Sequence, residues 1–391
     1  MKSNLKIRKN IFSNKELSVV ILLYLLPISY VTAVIIPKSY LFYSEKILFI
    51  LFFILILSFN KLKFTFKSIF LILITITLFL VNALFSEYPT YVLAILFNFI
   101  VIFIPVVYLI NVELDYKKIF AYWHKFSIIF TLLLPIFINL YFLKKIGYYE
   151  VGLVTHINTI SLAFSISQSN KKTNIICLIA NILICLFFGS RSVFVSSVIL
   201  TFFVYLLFKR KRNFSFYFII SIVSGMGIYI YANLIDILYS IQNLMIRFGI
   251  NSRNLSLFIQ QLSAQNTDIY LSGRDGIYPV IIEHLKMANG LPEGVGVARI
   301  LTHNMFYHSH NFFLEMLLTF GTILGSILII ALLFMIIFYL LKNIQSYQIY
   351  FGIALLISFL LRSLVGTYFL QDVIFILGVC SLINYTFRTK K

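Results

Sequence analysis

The chain has 391 residues, of which 61% are hydrophobic and 12% charged, with a formal net charge of +19. A soluble domain carries about 45–50% apolar and about 25% charged residues, so an ordinary soluble domain is excluded. In a soluble protein such a basic balance would point to nucleic acid; here its placement along the chain gives another explanation, developed below.

Apolar runs of about 20 residues recur from end to end, continuous rather than alternating, which predicts membrane-spanning helices and not a barrel. Twelve spans are predicted, at 17–37, 40–59, 66–85, 90–110, 119–141, 151–168, 174–189, 192–208, 214–236, 311–340, 349–368 and 370–387. The second is the weakest, because Glu45 and Lys46 fall in its first third. Pro27, Pro105 and Pro135 lie inside spans and are expected to kink them. The run 311–340 is long enough for a short re-entrant or interfacial helix followed by a span. Cys177, Cys185 and Cys380 all lie in apolar runs and are read as packing residues rather than a disulfide framework. No cleavage-site pattern follows the basic start, so the first helix is expected to be retained.

The cations fix an orientation. With the N-terminus in the cytoplasm, the inside segments carry 20 Lys and Arg, and the short outside segments carry five. That bias predicts both termini inside and the long segment 239–309 outside. The chain then divides into nine spans over 1–238, an extracytoplasmic loop with short helices over 239–309, and three spans over 310–391. The fold class expected is all-α, a polytopic transmembrane bundle. The bilayer is the expected environment, and no nucleic-acid partner is expected.

The polar chemistry gathers on the outer side. Arg191 sits in the tight turn Gly189-Ser190-Arg191-Ser192 between two spans. It is read either as snorkelling to headgroups or as a bidentate phosphate ligand. Arg274 follows Ser272-Gly273 and opens a helix-like run through Tyr278 to Leu285, so backbone N–H groups and a guanidinium can form an anion cradle there. The stretch 289–296 holds three glycines and a proline and reads as an irregular loop, not a phosphate loop. His303, His308 and His310 cluster before the next apolar run. They admit three readings: zinc ligands, interfacial hydrogen-bonding residues, or a general base. His310, next to Asn311, is the preferred base, with His303 and His308 shaping the site. Arg362 lies within a span, where a charge is costly; it is read as a phosphate ligand, as the partner of Asp372 or Glu315, or as snorkelling outward. His156 and Asn158 are polar enough to line a cavity and rank below these, and Trp123, His124 and Lys125 read as interfacial anchors.

Taken in order, Ser190-Arg191 between two spans, Ser272-Gly273-Arg274, and His310-Asn311 followed after nine residues by Gly321 resemble the O-antigen polymerase and O-antigen ligase superfamily of bacterial envelope glycosyltransferases. The resemblance covers 189–325; the first half matches only in hydropathy. Tyr278 stands where the family usually has Trp, and Leu324 stands where the ligase motif has a small residue or Tyr, which leans toward polymerase. The resemblance implies a GT-C-like bundle in the bacterial cytoplasmic membrane and an undecaprenyl-pyrophosphate-linked oligosaccharide as substrate. It also implies a chain-length regulator as a partner, and no cofactor or metal. Arg191, Arg274 and Arg362 would hold pyrophosphate and His310 would be the catalytic base, with His308, His303, Tyr278 and Asn311 around it. An O-antigen ligase is the nearest alternative, and a lipid-linked oligosaccharide flippase is the alternative of another class. Against transport stand the absence of an internal repeat and the lack of a counterpart to the long loop in the first half.

Overall fold

A computed structural model describes residues 14–32, 34–37, 40–60, 65–86, 88–169, 171–208, 229, 232–247, 249, 252–263, 274–303, 308–341, 346–363, 366 and 368–388. Helix is the only regular secondary structure among them. The helices are α1 (Lys15–Thr32), α2 (Leu41–Asn60), α3 (Phe66–Phe85), α4 (Pro89–Ile110), α5 (Tyr116–Leu132), α6 (Leu134–Phe142), α7 (Tyr148–Gln168) and α8 (Lys172–Phe188). They continue with α9 (Arg191–Phe208), α10 (Leu234–Arg247), α11 (Arg253–Ser263), α12 (Arg274–Met287), α13 (Val297–Leu301), α14 (Phe312–Leu341), α15 (Tyr347–Ser363) and α16 (Val373–Arg388). A helix therefore stands at eleven of the twelve predicted spans; most of 214–236 lies outside the described residues.

Among the described residues, four helices are long and apolar enough to cross a membrane, namely α1, α3 from Ser68, α4 and α14; the bent pair α5–α6 makes a fifth if it is one span. The outer face of α14 shows why lipid is its natural solvent. Ile323, Ile327, Ile330, Phe334, Ile337 and Leu341 recur every three or four residues and all lie open. So long an exposed apolar stripe would not persist in water.

The helix ends are written in the local sequence. Asn14 accepts the N–H of Leu17, Thr65 that of Ser68, Asp115 those of Lys117 and Lys118, and Asn311 those of Phe313 and Leu314. Each is a short polar side chain satisfying donors that a first turn leaves without intrahelical partners. Proline acts differently by position. Helices α1 and α4 run through Pro27 and Pro105, whereas the predicted span 119–141 breaks at Leu133 with a bend of 46°, Pro135 standing in the first turn of α6.

The chain forms two compact units, 1–126 with 276–391, and 127–275. The long loop is divided between them rather than standing alone. In the first unit α16 packs on α15 and α4, α1 on α2 and α4, and α3 on α4. Trp123 corrects the interfacial-anchor expectation. It is fully buried, between Phe120 and Phe351, so it is a core residue. In the second unit α7 packs on α8 and α9, and α11 on α8 and α10. Leu238, Met245, Leu255 and Ile259 of α10 and α11 bury one apolar cluster with Leu186 and Phe187. Those two short amphipathic helices thereby close over the end of α8.

Candidate functional site

In the first unit, the turn 308–311 ahead of α14 is fixed at every residue. The backbone N–H of His310 donates to Nδ1 of His308 at 3.0 Å. The N–H of Ser309 donates to Oε2 of Glu315 at 2.8 Å, and the Ser309 hydroxyl donates to the carbonyl of Asn311 at 2.8 Å. Asn311 in turn caps α14. This web holds His310 at φ 56°, a left-handed backbone that costs a residue with a Cβ on the order of 1 kcal/mol. Because a backbone N–H can only donate, Nδ1 of His308 is an acceptor, and the proton of its neutral ring sits on Nε2.

The wall behind the turn is aromatic. The rings of His308 and His310 lie 4.3 Å apart, and His308 stacks on Tyr368, centroids 5.6 Å apart and planes within 6°. Tyr368 adjoins Phe369, which meets Phe312 at 5.8 Å; Phe312 also meets Phe359 at 5.2 Å and Phe375 at 5.9 Å. This cluster draws together the start of α14, the end of α15 and the start of α16. At its edge, Arg362 and Asp372 are 2% and 7% exposed, and Nη2 of Arg362 donates to Oδ2 of Asp372. The other carboxylate oxygen accepts the N–H of Phe375 at 3.1 Å and caps α16. Of the partners expected for Arg362, the structure pairs it with Asp372; Glu315 serves the histidine turn instead.

A second loop docks further along α14. Helix α14 is broken at Gly321, whose φ of 79° and ψ of 167° are not helical. The carbonyl of Gly290 accepts the N–H of Thr322 at 2.9 Å, and the carbonyl of Leu318 accepts the N–H of Glu293 at 3.0 Å. Glu293 also faces Nε2 of His284 at 3.2 Å. Further along, Val295 donates to Asn82 at 3.1 Å and Arg299 lies 4.5 Å over the Tyr91 ring. Helix α12 lies against the same part of α14, burying Ile277, Ile281 and Leu285 with Leu318 and Ala298. Tyr278 is half-buried on that cluster, so it packs α12 onto α14. His303 is exposed, with φ 50°, just after α13. It makes no described contact with His308 or His310. Among the described residues, no three His, Cys, Asp or Glu side chains gather as a metal site requires.

The remaining predicted residues belong to the second unit. Arg191 is the first residue of α9, and its Nη1 donates to the carbonyl of Leu257 at 3.2 Å, tying the tight turn to α11. Arg274 is the first residue of α12, its side chain outside the described residues, as are Ser272 and Gly273. His156 and Asn158, expected from their polarity to line a cavity, take part in hydrogen bonds between helices of this unit. Both are fully buried: Nδ1 of His156 lies 2.7 Å from the Ser197 hydroxyl, and Asn158 donates to Asn181 at 3.0 Å.

The sequence marks His310, Asn311 and Gly321 but not what holds them. Tyr368 falls at the end of the predicted span 349–368, whereas α15 ends at Ser363. The one signal within reach was Asn311 before an apolar run, a helix-cap pattern. Comparison of the chain with protein-family models, with curated proteins and with solved structures finds no match.

Proposed function

We propose that the chain is a metal-independent membrane glycosyltransferase, a polymerase of O-antigen or capsule repeat units. It would be a GT-C-like bundle of about twelve spans in the bacterial cytoplasmic membrane, both termini cytoplasmic and 239–309 outside. Its substrates would be undecaprenyl-pyrophosphate-linked oligosaccharides. The observation that carries the reading is the 308–311 turn: an imidazole on a backbone locked by three side chains, at the start of an apolar helix.

In the reaction, a sugar hydroxyl of the acceptor attacks the anomeric carbon of the growing chain. The bond from that carbon to the carrier's pyrophosphate breaks, and the hydroxyl proton passes to His310. The products are a chain longer by one unit and free undecaprenyl pyrophosphate. A preorganised base is suited to this step, because proton transfer is efficient only within hydrogen-bond reach. The departing pyrophosphate needs fixed cations. The reading gives that role to Arg274 and Arg191 by residue type, each to be judged by its own substitution. Arg362, held by Asp372, is given the task of keeping α15 and α16 in place behind the histidines.

Substitution in a strain that lacks the chromosomal copy tests these roles. Arg274→Ala is expected to abolish long-chain surface glycan while lipid-linked single units accumulate. Arg274→Lys should rescue poorly, since an ammonium lacks the planar fork. His310→Gln should behave like Arg274→Ala. Normal polymer from either stably inserted variant removes the role assigned to that residue. A ligase would instead leave free lipid-linked polymer when its base is lost.

A further inference from the structure

We infer that His308 is a positioning residue for the reaction, setting the backbone of His310 through its Nδ1 rather than touching substrate. The inference rests on the reading of His310 as the base and adds a requirement that this reading does not contain.

The geometry separates two tasks of the His308 ring. One face stacks on Tyr368, with planes within 6°. One ring nitrogen, Nδ1, accepts the N–H of His310 at 3.0 Å. An apolar ring would serve the first task alone. The second needs an acceptor two bonds from Cβ, and it coincides with the left-handed φ of 56° at His310. Neighbouring hydrogen bonds fix Ser309 and Asn311, and the His308 bond engages the N–H of His310 itself. Loss of that bond removes one restraint on a strained backbone, which favours relaxation toward ordinary angles and a shift of the imidazole. A reacting group moved by about 1 Å loses roughly 100-fold in rate.

Three substitutions at one position distinguish the tasks. In His308→Phe the stack survives and the acceptor is lost. In His308→Asn the amide oxygen occupies the place of Nδ1, so the acceptor survives. In His308→Gln a polar amide remains, but its oxygen reaches the place of Nε2 instead.

The test uses full-length protein reconstituted in lipid vesicles, with lipid-pyrophosphate-linked oligosaccharide extracted from membranes of the deletion strain as the probe. His310→Ala is measured alongside. The expected result is a kcat lowered roughly 100-fold in the Phe and Gln variants with KM little changed, and within about tenfold of wild type in the Asn variant. Wild-type kcat in His308→Phe with an inactive His310→Ala overturns the inference and leaves the base assignment standing. An Asn variant as impaired as Phe and Gln overturns it too, because the acceptor would then be irrelevant. Full activity in His310→Ala removes both readings.

Discussion

The carbonyl oxygen of Gly290 accepts the N–H of Thr322 at 2.9 Å, just past the break that Gly321 makes in α14. The loop thus takes up the N–H of Thr322 and the carbonyl of Leu318, which an unbroken helix would pair with each other. A Cβ on Gly321 would stand 2.6 Å from the Gly290 carbonyl oxygen and 2.9 Å from the Pro292 nitrogen, at a φ of 79°. Both partners are backbone and cannot swing aside.

Gly321→Ala is therefore expected to lower stability by about 2 kcal/mol or more, read as a fall in the thermal unfolding midpoint of purified protein. Gly276→Ala is the matched control. Its Cβ would meet nothing within 4 Å, and alanine in a helix is favoured over glycine by about 0.5–1 kcal/mol. Equal midpoints for the two variants would contradict the docked loop.

The Arg362–Asp372 pair yields a second expectation. Removing one partner of a buried pair leaves a lone charge and costs about 3–5 kcal/mol. Arg362→Met and Asp372→Asn should each destabilise the protein, and the double variant should recover most of the loss. Asn keeps a side-chain oxygen to cap α16. Additive losses, or a double variant that is stable but makes no polymer, would show that Arg362 has a task other than holding Asp372.

A third concerns the polar interior of the second unit. Asn181 accepts from Asn158 at 3.0 Å and donates to Thr131 and to the Cys177 carbonyl at 2.8 Å each. Interhelical hydrogen bonds in membrane bundles average about 0.6 kcal/mol, with a maximum near 1.7. Asn181→Leu should cost about 1–2 kcal/mol by thermal unfolding while the surface glycan profile stays normal. An unchanged midpoint would contradict the network; a changed glycan profile would give it a role beyond packing.

The sequence spoke clearly where local rules decide. Apolar runs marked the helices, and Asn311 before such a run marks the start of α14. The long run at 311–340 implied a short helix and then a span, and Gly321 supplies the break. It spoke less clearly where distant residues meet. No pattern shows that Tyr368 will stack on His308, that Glu315 will hold the Ser309 amide, or that Trp123 will be buried against Phe351. Those contacts depend on how helices pack. The left-handed backbone at His303 and His310 was hidden for a related reason: residues with a Cβ adopt it only where surrounding contacts compel it.

The most direct test of the account is the surface glycan of a strain lacking this gene, resolved by gel. Loss of the chain should leave single repeat units delivered to their final acceptor and no ladder above them, with the ladder restored by the wild-type gene. Accumulation of lipid-linked polymer, or complete absence of externally exposed units, would contradict a polymerase and point to a ligase or a flippase respectively.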